Sequence, residues 1–92
     1  MADLGTPGEP VLDLHGLRVA EAVRRTNGFL FGEQARGTIS VRIVTGHGTG
    51  AVKEAIRELL RGHPAVASAR PALRTDAAML ILLKPPRAGR RP

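Results

Sequence analysis

The sequence predicts a two-layer α/β sandwich in the order β-α-β-α-β-β, with two helices on one face of a four-stranded mixed sheet. Three observations predict it. Apolar residues alternate with period two near residues 11–15 and 39–44, the signature of half-buried strands. Between and after those runs they recur every three or four residues, the helical period. A continuous apolar segment, Ala77–Leu83, then closes the body and requires neighbouring strands to shelter it. Two amphipathic helices cannot bury their stripes on each other and also cover both faces of a sheet, so one covered face is the economical arrangement.

The elements follow in order. Val11-Leu-Asp-Leu-His15 alternates, with Leu12 and Leu14 on one face and Val11, Asp13 and His15 on the other. Gly16 breaks it. From about Arg18 a helix is expected, its stripe formed by Val19, Ala22, Val23, Thr26 and Leu30. Gly28 and Gly32 weaken it by roughly 1 kcal/mol each relative to alanine, so tertiary packing must hold its second half. Gly37 ends it, and Ile39-Ser-Val-Arg-Ile-Val44 forms the second strand. Thr45-Gly-His-Gly-Thr-Gly50 is a glycine-rich turn into the clearest helix, whose stripe is Val52, Ala55, Ile56, Leu59 and Leu60. Gly62 and Pro64 stop that helix. Val66–Leu73 reads as an edge strand, because Pro71 cannot donate to a ladder. Met79–Leu83, apolar throughout, reads as a buried strand. Right-handed crossovers bring the turns after the first two strands to one carboxyl edge, where open α/β sheets bind ligands.

Composition narrows the functions. Cysteine is absent, which excludes a disulfide framework, thiolate metal sites and a Cys nucleophile. With Phe29 and Phe31 as the only aromatics, a base-stacking platform is not expected. The longest apolar run has seven residues, against the roughly 20 of a membrane span, and Met1–Pro10 has no secretory pattern. A cytoplasmic chain with no membrane partner is expected. The formal charge is +6, unevenly placed: residues 1–83 hold ten Lys and Arg against eight Asp and Glu, and residues 84–92 hold four cations and no acid. The expected organisation is a loose leader over 1–10, a folded body over 11–83 and a basic tail over 84–92. In that tail Lys84, Arg87, Arg90 and Arg91 suit the phosphates of a polyanion.

Three features can carry chemistry. Asp13 and His15, two apart on a strand, share a face, and a carboxylate beside an imidazole orients it for acid–base work. Thr45, Gly46, His47, Gly48, Thr49 and Gly50 lead into a helix N-terminus, where backbone N–H groups in a loop free of bulk favour phosphate; Thr49 as N-cap is the purely structural alternative. His47 can reach the edge where His15 ends, so the two imidazoles can serve a phosphate as base and acid, with the 2′-hydroxyl as nucleophile on RNA. His63, at a helix C-terminus where the dipole favours a cation, is read as a cap without a catalytic part. Three scattered His and no carboxylate cluster fall short of a dedicated metal site, and no cofactor is identifiable. Divalent-metal dependence is not legible, and a monomer is the default.

Leu12-Asp-Leu-His-Gly16, followed by Val44-Thr-Gly-His-Gly-Thr-Gly50 entering an amphipathic helix, resembles the Smr (small MutS-related) domain family. Val52-Lys-Glu-Ala-Ile-Arg-Glu-Leu-Leu60 and His63-Pro-Ala-Val66 fit that family's second helix and its exit. The resemblance spans about residues 11–83 and implies a stand-alone, minimal member, with a fold like that of the C-terminal domain of translation initiation factor three. It implies a nucleic-acid-binding protein, DNA or RNA, with endonuclease activity. The family's L-D-x-H motif falls on Leu12, Asp13 and His15, and its T-G-x-G motif on Thr45, Gly46 and Gly48. Many members have His at the position of Thr45. The family's glycine- and Glu-rich loop is replaced here by Arg74-Thr-Asp-Ala-Ala78, without glycine. Two further readings stand beside the endonuclease: a non-catalytic nucleic-acid module using the same loop and tail, and a protein-interaction module that docks a partner on the open sheet face.

Overall fold

The computed structural model describes residues 8–47, 50–75 and 77–86. They form β1 (Val11–Asp13), α1 (Val19–Ala35), β2 (Ser40–Val44), α2 (Ala51–Leu60), β3 (Val66–Pro71) and β4 (Ala78–Leu83). The order matches the expectation, and the sheet is mixed, running β1-β2-β4-β3. β1 pairs parallel to β2 with Asp13 opposite Val44. β4 lies antiparallel to both β2 and β3, with Ala78 opposite Val44 and Pro71 opposite Met79. Pro71 is thus on an edge strand, where its missing N–H leaves no internal rung unmade.

Alternate residues of the strands feed a single core. Val41 and Ile43 of β2 and Met79, Ile81 and Leu83 of β4 meet Ala22 and Leu30 of α1 and Ile56 and Leu60 of α2. Leu14, fully buried, closes the core at the carboxyl edge of β1. Among the described residues no helix lies over the other face of the sheet. Leu82 is accordingly 49% exposed, which corrects the expectation of a wholly buried last strand: β4 is central, but a two-layer fold buries only every second residue. Val19, expected in the first stripe, is 39% exposed, and Glu33 joins Ala22, Thr26 and Leu30 among the buried positions of α1. Glu33 accepts from the Thr38 hydroxyl at 2.8 Å, and its backbone carbonyl accepts the Thr38 N–H at 3.0 Å. That pair locks the chain as it leaves α1 through Gly37, whose φ is +81°.

The hydrogen bonding reaches past both expected limits of the body. Ser40 Oγ donates to Glu9 at 2.9 Å and the Arg42 N–H to the Pro10 carbonyl at 2.9 Å, inside the segment expected as leader. At the other end the Lys84 N–H donates to the Ala65 carbonyl, and the Gln34 side chain to the Pro85 carbonyl. Of the expected tail, Lys84 is thus tied to the residue before β3 and Pro85 to α1.

His63 corrects a second expectation. It is buried at the junction of the helices, its ring 4.8 Å from that of Phe31. Nδ1 accepts the Ala65 N–H at 3.0 Å, so in the neutral ring Nε2 is the donor, to Asn27 Oδ1 at 2.8 Å. Burial lowers its pKa, so it sits there as a neutral hydrogen-bonding joint and not as a cation on a helix dipole.

Two outcomes follow from this packing. A Cβ on Gly28 or Gly32 would meet nothing within 4 Å, and both lie on the exposed side of α1 without positive φ. Gly28→Ala and Gly32→Ala should each stabilise by about 0.5–1 kcal/mol, read as a higher thermal midpoint. For His63, the folded-state pKa lies below the unfolded value near 6.5, so the unfolded chain binds more protons as pH falls. Its contribution is complete above that value and is lost as pH drops through it. Thermal midpoints should decline from neutral pH toward pH 5, and His63→Gln should flatten that decline.

Candidate functional site

Three connections converge at one edge of the sheet: the turn after β1, the turn after β2, and the loop between β3 and β4. The first places Asp13 and His15. Between them Leu14 is pinned twice, by its burial and by its N–H, which donates to the Val44 carbonyl at 2.7 Å. Its neighbours must then face outward. The side chains of Asp13 and His15 are 54% and 74% exposed, on the face and at the edge that the alternation predicts. The Leu17 N–H closes a turn on the Leu14 carbonyl at 3.1 Å, with Gly16 at φ +79°.

Asp13 Oδ1 accepts two hydrogen bonds from His15, one from the backbone N–H at 3.0 Å and one from Nδ1 at 2.8 Å. A carboxylate can only accept, so Nδ1 carries a proton, and in the neutral ring the lone pair is on Nε2. The ring is thereby held in the tautomer suited to taking a proton at Nε2. Its side-chain hydrogen bond, reinforced by the backbone one, keeps the Asp13 carboxyl below the usual aspartate range.

The second connection meets the first through a glycine. Gly46 has φ +83°, and a Cβ there would lie 3.1 Å from the His15 Cβ and 3.6 Å from its Cα. Glycine is required twice at this position, for its backbone angle and for the space that His15 occupies. The third connection is tied to the second by one carbonyl. Ala77 O accepts from the Thr45 N–H at 2.7 Å, the Gly46 N–H at 3.0 Å and the Thr45 hydroxyl at 3.1 Å.

Expected at the phosphate, Thr45 is instead buried with both donors directed to Ala77, and it holds the β3–β4 loop against the edge. Gly46 likewise commits its N–H to Ala77 and acts through its shape. A crevice of about 400 Å³ results, lined by His15, Thr45, Gly46, His47, Gly50 and Lys53 among others. The two histidines expected to cooperate do share it. Gly50, at φ +96°, is the N-cap of α2, without a side-chain cap; Thr49, considered for that place, lies with Gly48 outside the described residues.

Of the expected basic tail, Lys84 lies away from this cluster. Leu83 pairs with Ile39 and Lys84 with Ala65, at the sheet edge opposite Thr45. The five residues of β2 separate the two edges by about 16 Å. Arg87, Arg90 and Arg91 lie outside the described residues. Among the described residues no three His, Asp or Glu side chains converge on one point. No described helix is long and apolar enough to cross a membrane. Lys53 was missed from the sequence as a lining residue. Counting three residues into α2 from Gly50 would have found it, since the first turn of a helix faces the loop that starts it.

Residues 12–84 match the model of the Smr domain family. Among curated proteins the chain is 42% identical over 62 residues to endonuclease MutS2 of Halalkalibacterium halodurans, covering 67% of this chain and 8% of that protein. It is 43% identical over 65 residues to endonuclease MutS2 of an Anaeromyxobacter species, covering 70% and 8%. The chain thus spans about a twelfth of the length of the curated relatives it matches. Among solved structures, the Smr domain of Thermus thermophilus MutS2 superposes with a TM-score of 0.80 at 35% identity, over 83% of this chain and 99% of that one.

The contact of Gly46 with His15 yields a paired test. Gly46→Ala and Gly50→Ala both force alanine into a left-handed backbone, but only the first also pushes on His15, because a Cβ on Gly50 meets nothing within 4 Å. Each should destabilise by more than about 1 kcal/mol. In the NMR spectrum, Gly46→Ala should shift the His15 ring resonances strongly, whereas Gly50→Ala should leave them near their original positions.

Proposed function

The chain belongs to the Smr domain family, and on that premise we propose that it binds nucleic acid and cuts its phosphodiester bonds at the His15 crevice. The observation that carries this reading is the 2.8 Å contact between Asp13 and His15 Nδ1. In the neutral ring it directs the basic nitrogen, Nε2, away from Asp13 on an exposed imidazole, beside a cavity that can hold a phosphate. Exposed Asp–His pairs serve no packing purpose, and salt-bridge stabilisation at such exposure is small.

His15 Nε2 takes the proton of the attacking hydroxyl, either water or, on RNA, the adjacent 2′-hydroxyl. The new P–O bond forms as the bond to the leaving oxygen breaks. That oxygen takes a proton from an acid on the other side of the crevice, a place His47 suits. Asp13 stabilises the imidazolium formed in the transition state and fixes the ring, the part an orienting carboxylate plays beside a catalytic histidine. The N-terminus of α2 lies at the same crevice with its dipole directed at developing negative charge.

A non-catalytic nucleic-acid module is the second reading. The observation favouring it is Thr45, whose donors are directed to Ala77 and not into the crevice.

A cleavage assay on labelled RNA and DNA, single- and double-stranded, with and without chelator, separates the two. His15→Ala should stay folded and keep its affinity, because exposed polar replacements change stability by under about 0.5 kcal/mol. Its cleavage rate should fall by about 10²–10⁴. Asp13→Asn should fall less, the imidazole losing its orientation and keeping its basic atom. Cutting by His15→Ala at the original rate would assign the chemistry elsewhere, and binding by the unaltered chain without cutting on any substrate would establish the non-catalytic module.

A further inference from the structure

A second cavity of about 400 Å³ lies between α2 and the edge strand β3. Its position and charge go beyond the catalytic edge. Lys53 and Arg57 of α2 and Arg61 at its C-cap line one side, and Arg70 lines it from the strand. Among the described residues no carboxylate lines it. This concentration stands out because residues 1–83 hold ten cations against eight acids. The body is nearly neutral, yet four of its cations meet in one groove.

The spacing has a direction. Positions 53 and 57 are one i, i+4 step on a helix face, about 6 Å apart along the axis, and Arg61, the C-cap of α2, follows four residues further on. Lys53 also lines the His15 crevice. The two cavities therefore share a wall, and the row of cations begins where the catalytic edge ends. Buried Leu60 and Met79 form an apolar floor beneath the row.

We propose that a nucleic-acid strand engaged at the His15 crevice continues along α2 through this groove, its successive phosphates meeting Lys53, Arg57, Arg61 and Arg70. The proposal rests on the nucleic-acid reading above and adds the path of the strand and the residues that hold it. Arg57 and Arg61 pair along their own helix with Glu54 at 3.2 Å and Glu58 at 3.4 Å. Both pairs are exposed, and such pairs are weak in water. A phosphate can take the guanidinium fork with two parallel hydrogen bonds, against the exposed contacts of 3.2 and 3.4 Å here, so the strand can draw the arginines off their glutamates. Such contacts set position and affinity without reading sequence.

The test measures oligonucleotide affinity of the full chain across a range of salt. Each phosphate contact adds about 0.7 on single strands or 0.9 on duplex DNA to the slope of log K against log salt. Arg57→Gln/Arg61→Gln should flatten the slope by about 1.4 or 1.8 respectively, and Arg57→Lys/Arg61→Lys should restore most of it. The control is Arg24→Gln/Arg25→Gln. These two arginines are paired with Glu21 on α1 and do not line the groove, so removing the same charge there should change the slope much less. An unchanged slope in Arg57→Gln/Arg61→Gln, or an equal change in the α1 control, overturns the strand path while leaving nucleic-acid binding in place; the groove would then suit an acidic protein surface. Absence of binding by the unaltered chain overturns both readings.

Discussion

The site depends on one close approach, that of Gly46 to His15. A Cβ at residue 46 would come within 3.1 Å of the histidine, so the two glycine-bearing turns interlock backbone against side chain. The parallel pairing of β1 and β2 makes this possible, since it delivers both strand ends to one edge in register, Asp13 opposite Val44. Burial of Leu14 then decides which way its neighbours point. Sheet register, a core leucine and a missing side chain together position an imidazole, and Asp13 fixes its tautomer.

The third member of the edge is held differently. The β3–β4 loop contributes a carbonyl, Ala77 O, that accepts three hydrogen bonds from Thr45 and Gly46. This explains how Arg74-Thr-Asp-Ala-Ala78 can stand where the family has a glycine-rich loop. Arg74 itself adopts φ +72°, the one described residue other than glycine with a positive φ, and the tie to Ala77 restrains the strained turn. Thr45 belongs to the same solution. A threonine can donate its hydroxyl to a buried carbonyl, and here it serves the architecture of the edge.

Charge is arranged by the fold and not by the count. The cations of residues 1–83 are nearly balanced by acids in number, but tertiary structure gathers Lys53, Arg57, Arg61 and Arg70 around one groove. It also carries Lys84 to the far edge, where it hydrogen-bonds beside Ala65 and close to the neutral, buried His63. One end of the sheet therefore holds the exposed Asp13–His15 pair, and the other holds a histidine whose pKa is lowered and which joins the two helices.

Local sequence determined the element order, the single core, and the placement of Asp13 and His15 on one exposed face. These follow from period two, period 3.6 and glycine punctuation, which act over a few residues. The two motifs, Leu12–Gly16 and Val44–Gly50, also identified the family by their order and separation. What depended on distant residues was not legible. The half-exposure of Leu82 required knowing that both described helices pack on the opposite face. The neutrality of His63 required Asn27 and Phe31, more than thirty positions away, to bury and pair it. The role of Thr45 required Ala77, and the row of cations on α2 became a groove only when β3 lay beside it. Patterning decides which face of an element turns inward; tertiary packing decides what each outward residue meets, because the strand order β1-β2-β4-β3 sets residues far apart in the chain side by side.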